Sequence, residues 1–192
     1  GDTTSGVCLQ RMVRELDAGP ILAAQVVPIV ATDDRNTLHD RLAEAGAAML
    51  VKAMPKLLEG SLPERPQDES LVTYAPIPTK ADARLDPTCM SAQELDRRVR
   101  ALHGNPGTWV EVELHDERRV PLKLLHVKPE PSRHENASAG QRVRERDRFL
   151  IATRDGLLEV VRCQPASKPP MEASAYLAGH DVRFVHATPA VM

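Results

Sequence analysis

The chain has 192 residues, which is long enough to bury one hydrophobic core or two small ones. Its formal net charge is −2, so overall charge indicates no nucleic-acid or membrane partner, and any such surface must be local. Cys8, Cys89 and Cys163 have neither CxxC spacing nor a histidine partner, which predicts no zinc site and no disulfide framework. No apolar run approaches the ~20 residues of a membrane helix, so we expect no membrane partner. The cysteine pattern suits a reducing compartment, so we expect a cytoplasmic protein without a metal.

The first part of the chain predicts two strands joined by a turn. Val7–Met12 alternates apolar and polar side chains, and Ile21–Val30 is a second, largely apolar run. Between them lies the turn Asp17–Pro20, where glycine permits a positive φ and proline stops the strand.

A helix and a linker are expected next. Asn36 or Thr37 can cap a helix that runs to about Glu59. Two strands and one helix are too few for a complete α/β domain, since its strands need neighbours and its helix needs a sheet to cover. Residues 61–90 are rich in proline and poor in apolar side chains, which is typical of an extended linker.

The rest of the chain predicts a small β domain. Ser91 and Glu94 form an S-x-x-E capping box at the start of a short helix that ends near Gly104. Short β segments follow, separated by turn residues, and this pattern favours an OB-like barrel. The predicted segments are Thr108–Leu114, Pro121–Val127, Gln141–Glu145, Phe149–Thr153 and Leu157–Gln164, with one helical turn at Ser174–Ala178.

Several motifs resemble a known family. The segments Gly1–Val7 (GDTTSGV) and Glu15–Leu22 (ELDAGPIL) are similar to those of the folate-dependent formyltransferases. Further motifs, in the same order along the chain, narrow the resemblance to the methionyl-tRNA formyltransferase family; they occupy residues 67–69, 71–76, 80–86, 94–101 and 157–171.

The resemblance implies a fold and a domain division. It implies an α/β fragment, the end of a Rossmann-like formyltransferase catalytic domain, in residues 1–60. A linker in residues 61–90 and an all-β OB-like barrel domain in residues 91–192 follow. The family's asparagine and histidine, which polarise the formyl group, are then expected before Gly1. We therefore expect the chain to be an incomplete piece that is inactive alone.

The resemblance also implies a chemistry. The family transfers the formyl group of 10-formyltetrahydrofolate to the α-amino group of methionyl-tRNA for translation initiation. Asp17 matches the family's catalytic aspartate, which manages the protons of the tetrahedral intermediate. An aspartate before glycine is otherwise a common turn residue. The resemblance further predicts folate-binding residues on the same loop, namely Val13, Arg14, Glu15, Leu16 and Gly19.

Basic residues of the second domain predict a surface for the initiator methionyl-tRNA. They lie in or beside the predicted strands, where they suit phosphate contacts, although Glu145 and Asp147 interleave with them. The predicted tRNA-binding residues are Lys123, Arg142, Arg144, Arg146 and Arg148, from a wider basic set that includes Lys128, Arg133 and Arg154.

Two alternatives to this function stay open from the sequence. The chain could be an RNA-binding module of OB type without activity, which predicts salt-sensitive tRNA binding and no folate binding. It could also belong to a formyltransferase that acts on a sugar nucleotide. In each case we expect a monomer.

Overall fold

A computed structural model of the protein describes residues 1–130 and 137–187. The chain divides into two compact units, Gly1–Pro76 and Ile77–Met192. In the described ranges, no helix is both long enough and apolar enough to cross a membrane. Arg133, a member of the wider basic set, lies outside the described residues.

The first unit contains the two predicted strands and the predicted helix. Strands β1 (Thr4–Gln10) and β2 (Ile21–Pro28) pair antiparallel, and helix α1 (Arg35–Leu58) packs against both. A short 3-10 turn, Glu69–Leu71, follows. Strand β1 begins earlier than the predicted Val7, because the ladder with β2 extends along the polar residues before it.

The cap of α1 is Asp34, so the prediction of Asn36 or Thr37 was wrong. The Asp34 side chain accepts hydrogen bonds from the backbone N–H groups of Asn36 (2.8 Å) and Thr37 (2.9 Å). The hydroxyl of Thr37 accepts the N–H of Asp34 in return, at 2.9 Å. Thr37 is thus the reciprocal partner in a capping box, a place usually held by glutamate or glutamine.

The first unit leaves much apolar surface in contact with solvent. A two-stranded sheet and one helix cannot enclose a core, because each element buries a single face. Apolar side chains on β2 and α1 are therefore exposed, namely those of Val26, Leu50, Val51, Met54 and Leu58.

The second unit consists mainly of antiparallel strands and also contains two helices. Its elements are α2 (Ala92–Ala101), β3 (Thr108–Leu114), β4 (Arg119–Glu130), β5 (Arg142–Glu145), β6 (Arg148–Ala152), β7 (Leu157–Pro165), β8 (Met171–Glu172), α3 (Ala173–Gly179) and β9 (Val182–His186). The five predicted β segments and the helical turn correspond to β3 to β7 and to α3, whereas β8 and β9 were not predicted.

The strands of this unit form a nearly closed, barrel-like antiparallel sheet. Their order is β5-β6-β7-β4-β3-β9, with β8 paired to β7. The two ends of this order meet where the backbone N–H of Val185 donates to the carbonyl of Gly140 at 2.7 Å, beside a bridge between Gln141 and Phe184. The interior is mainly aliphatic, with Phe149 and Tyr176 as buried aromatic residues, and Leu95 and Val99 of α2 are buried in it. The prediction of a barrel is confirmed at this level.

Helix α2 supplies a test of local stability. Ser91 accepts the N–H of Glu94 at 3.1 Å, and the Glu94 carboxylate accepts the N–H of Ser91 at 2.7 Å, as the sequence predicted. We expect Ser91→Ala to lower the free energy of unfolding by about 1 kcal/mol, because the N–H of Glu94 loses its partner. Urea unfolding followed by circular dichroism measures this. Ser174→Ala, at an exposed position of α3, is the control and should change stability by less than about 0.5 kcal/mol.

Candidate functional site

The predicted catalytic aspartate lies on the loop that joins β1 to β2. The backbone N–H of Arg11 donates to the carbonyl of Pro20 at 3.0 Å and closes the base of this loop. Asp17 has a φ of 56°, in the left-handed region that aspartate tolerates better than most residues. Its side chain is exposed, and its Oδ1 lies 3.4 Å from the Nε2 of Gln10. The loop therefore presents a carboxylate to solvent.

The six residues predicted for catalysis and folate binding share this one loop. Val13, Arg14, Glu15 and Leu16 are exposed along it, and Gly19 is buried near its base. A Cβ built on Gly19 would lie 1.7 Å from the carbonyl oxygen of Arg11. Glycine is therefore required at position 19, because its backbone lies too close to the backbone of Arg11 to leave room for a methyl group.

A segment about 50 residues downstream holds the loop, and the sequence did not predict this contact. The Nε2 of Gln67 donates to the carbonyl oxygens of Asp17 and Gly19, at 2.7 Å in each case. The backbones of Ile21 and Arg65 exchange two hydrogen bonds, of 2.8 and 2.9 Å. Residues 64–67, which we call the strap, thus run beside the loop, although the prolines of residues 61–90 predicted only a linker.

Two of the predicted tRNA-binding arginines lie on β5 and contact the same carboxylate. Arg142 and Arg144 reach the same oxygen of Asp181, at 3.7 and 2.6 Å. The Arg142 side chain is only 10% exposed, and its Nε is buried without a hydrogen-bond partner among the described residues. Burial, and then the charge of Arg144, lower the pKa of Arg142. Arg142, Arg144 and Arg183 of β9 line a pocket of about 360 Å³, and no carboxylate is among its described lining residues.

Arg148 has a different environment. Its guanidinium pairs with Glu130, with Glu145 at 3.1 Å and with Glu159 at 2.9 Å. The hydrogen bond from Arg148 lowers the pKa of Glu159. A carboxyl with a lowered folded-state pKa stabilises the fold above its unfolded pKa, and that contribution is lost as pH falls through the folded value. This cluster therefore stabilises the fold at neutral pH. The charge of Arg148 is paired with carboxylates and is not free for a phosphate.

The remaining two predicted tRNA-binding residues lie apart from this pocket. Arg146 is exposed in the turn between β5 and β6, with a φ of 45°. Lys123 is exposed on β4, which β6 and β7 separate from β5 in the sheet order. The structure therefore brings together Arg142 and Arg144 of the five, and adds Arg183, which the unpredicted strand β9 carries.

Other reactive groups are buried or dispersed. Among the described residues, no three His, Cys, Asp or Glu side chains cluster as a metal site. Burial raises the pKa of the Cys163 thiol to about 11 and that of the Tyr176 phenol to about 12. Both groups are therefore neutral at physiological pH, and Cys163 is inert as a nucleophile.

Comparison with known families matches both units. The profile of the family "Formyl transferase, C-terminal domain" matches residues 78–181, more than half of the chain, and that of "Formyl transferase" matches residues 1–54. The chain therefore belongs to the formyl transferase family, as its motifs indicated. Within that family, the similar curated relatives carry the name methionyl-tRNA formyltransferase.

Two of these relatives come from bacteria of different genera. The chain is 37% identical to the protein of Halorhodospira halophila over 93% of its own length, and 38% identical to that of Dechloromonas aromatica over 94%. It spans 56% and 55% of those two proteins, or about half of the curated relatives it matches.

Solved structures of lower identity share the fold. The structure of HypX from Aquifex aeolicus in complex with tetrahydrofolic acid has a TM-score of 0.67 at 19% identity, over 92% of this chain and 30% of that one. An N-formyltransferase from Helicobacter canadensis, solved with folinic acid and dTDP-3-aminofucose, has a TM-score of 0.61 at 15% identity, over 83% and 56%.

Proposed function

We propose that this chain is part of an enzyme that transfers the formyl group of 10-formyltetrahydrofolate to the α-amino group of methionyl-tRNA. The observation that carries this proposal is its 36–38% identity, over more than nine tenths of its length, to five proteins named methionyl-tRNA formyltransferase. The match runs through both units, which supports a common function for the loop and the barrel.

The proposed chemistry needs a group that moves protons. The amine nitrogen attacks the formyl carbon, and the tetrahedral intermediate collapses by breaking the bond to the folate nitrogen. A proton leaves the amine and another reaches the folate nitrogen, so a carboxylate beside both can relay them, through water if necessary. Asp17 is exposed on the loop and suits this role. The loop residues Val13, Arg14, Glu15, Leu16 and Gly19 are proposed to line the folate pocket.

The upstream part of the catalytic domain is proposed to pack on the first unit. The exposed apolar side chains of β2 and α1 support this, since burying them stabilises a Rossmann-like sheet with more strands. We propose residues 1–60 as the end of that domain, residues 61–90 as the linker and residues 91–192 as an OB-like domain. The complete protein is proposed to act as a cytoplasmic monomer.

The barrel is proposed to contact the tRNA through its basic residues. The pocket beside β5 supports contact by Arg142 and Arg144, because its charge is not neutralised by Asp181 alone. Arg146 and Lys123 are proposed as further phosphate contacts. Arg148 stays in the proposed set, but its three carboxylate partners predict a smaller contribution than that of Arg144.

Binding of RNA gives a test of this surface. We expect Arg144→Gln to weaken binding of an initiator tRNA to the full-length protein about fivefold, and the slope of log affinity against log salt should fall by about one. Fluorescence anisotropy over a range of salt concentrations measures both. Arg97→Gln on α2 makes the same change in net charge and should leave binding unchanged. Equal loss from both variants would contradict a local surface.

The decisive assay compares acceptor substrates. The full-length protein should formylate methionyl-tRNA and not a sugar nucleotide that carries a free amine. Formylation of the sugar nucleotide alone would overturn the proposal in favour of the second alternative. Tight tRNA binding without folate binding would favour an RNA-binding module.

A further inference from the structure

We propose that Gln67 is a positioning residue, which holds the Asp17 carboxylate in the orientation that formyl transfer requires. This inference rests on the proposed function, because it assigns a partner to the proposed catalytic residue. The side chain of Gln67 is exposed and adds nothing to a hydrophobic core. Its contacts are instead directed at the backbone of one loop.

The Nε2 group of Gln67 is directed at the backbone of this loop. A primary amide carries two N–H groups, and Gln67 directs its Nε2 at two carbonyl oxygens, of Asp17 and of Gly19, at 2.7 Å each. Those carbonyls belong to the aspartate itself and to the glycine two residues later. Fixing both carbonyls fixes the direction in which the chain turns at Asp17.

The conformation of Asp17 makes such a support necessary. A φ of 56° is unfavourable for a residue with a side chain, even though aspartate tolerates it better than most, so the loop relaxes unless other contacts hold it. A relaxed φ would rotate the Cα–Cβ bond and redirect the carboxylate. The hydrogen bonds from Gln67 offset this cost at the Asp17–Ala18 and Gly19–Pro20 peptide groups.

A second contact reaches the carboxylate itself. The Nε2 of Gln67 also lies 3.4 Å from the Oε1 of Gln10, a longer contact in which one N–H is shared with a backbone carbonyl, and the Nε2 of Gln10 lies 3.4 Å from Oδ1 of Asp17. Since its Oε1 faces Gln67, the amide of Gln10 presents its N–H groups to the carboxylate. Gln67 thus acts on Asp17 both through the backbone and through Gln10.

The strap is anchored firmly enough to place Gln67. Arg65 exchanges two backbone hydrogen bonds with Ile21, the first residue of β2, and Glu64 pairs with Arg11 at the other side of the loop base. The strap is therefore attached to both ends of the loop. Gln67, two residues after Arg65, is held within reach of the two carbonyls.

The first test measures the loop in the chain itself. In Gln67→Met the side chain keeps its length and loses both donors. We expect hydrogen exchange of the amides in residues 11–20 to accelerate about tenfold, whereas exchange in the barrel strands stays unchanged. Gln93→Met, at an exposed position of α2, makes the same chemical change and should leave the loop unaffected. Unchanged exchange in Gln67→Met would overturn the positioning role, whatever the fate of the proposed function.

The second test measures catalysis in the full-length protein. We expect kcat/KM of Gln67→Met for methionyl-tRNA to fall about 10- to 100-fold, the range for a group displaced by about 1 Å. The KM for the folate donor should rise, because the same loop is proposed to bind it. A merely structural role would lower the concentration of active sites, measured by folate titration, and leave KM and the pH dependence of kcat unchanged.

The two proposals fail in different ways. If Asp17→Asn keeps its activity while Gln67→Met still frees the loop, the catalytic role of Asp17 is wrong and the contact made by Gln67 is right. If Asp17→Asn is inactive while Gln67→Met has wild-type KM and kcat, Asp17 is catalytic and Gln67 does not position it.

Discussion

Asp17→Asn is expected to reduce the rate of formyl transfer by the full-length protein about 10²- to 10⁴-fold. Asparagine keeps the size of the side chain but cannot accept and release a proton, and a positioned acid or base contributes a factor of this order. The loss should fall on kcat, with little change in the KM of either substrate, because the proton moves during the chemical step. Single-turnover kinetics with methionyl-tRNA measures it.

The control for this experiment is Asp40→Asn. Asp40 is an exposed aspartate on α1, so the substitution makes the same change in charge away from the loop. Its turnover should equal that of the wild type. Thermal unfolding should be unchanged in both variants, since neither side chain is buried. Full turnover by Asp17→Asn would show that Asp17 has no catalytic role.

Gly19→Ala is expected to disrupt the loop even though it adds only one methyl group. The new Cβ would lie 1.7 Å from the carbonyl oxygen of Arg11, and that atom belongs to the backbone, so it cannot rotate away. The base of the loop must open, which removes the hydrogen bond between Arg11 and Pro20 and draws the carbonyl of Gly19 away from Gln67. Overpacking of this kind costs about 1–3 kcal/mol.

The measurement for Gly19→Ala is folate binding by calorimetry in the full-length protein, with urea unfolding alongside. We expect the affinity for the folate donor to fall at least tenfold and stability to decrease. Gly179→Ala is the matched control, since a Cβ on that glycine meets nothing within 4 Å. Normal folate affinity in Gly19→Ala would contradict a role for this loop in the binding site.

Local motifs could be predicted from the sequence, whereas distant contacts could not. The capping box of Ser91 and Glu94 involves neighbours three residues apart, and the short segments that became β3 to β7 are separated by turn residues clearly enough to predict strands. Strand β9 was missed because it is short and its pairing is decided by β3, far earlier in the chain. The cap of α1 was misplaced because two adjacent aspartates precede the helix, and only the structure separates the cap Asp34 from the buried Asp33.

The same distinction applies to the candidate site. The loop with Asp17 and the proposed folate-binding residues could be predicted because its members are adjacent in sequence. Gln67 is 50 residues from Asp17, and nothing in a proline-rich segment indicates which backbone its side chain contacts. Arg142 and Arg144 were both predicted to bind tRNA, and both reach Asp181, but their shared partner could not be foreseen because it lies next to the missed strand.

The position of β9 in the sheet has a consequence for how the barrel is made. Strand β3 has β9 as its second neighbour, and the hydrogen bond between Glu113 and His186 joins residues 73 positions apart on these strands. During synthesis, α2 and β3 therefore leave the ribosome well before the strand that covers their open edge. Contacts of such sequence separation form slowly, and an uncovered edge is prone to pairing with other chains. The barrel is thus most exposed to misassembly while its last strand is still being translated.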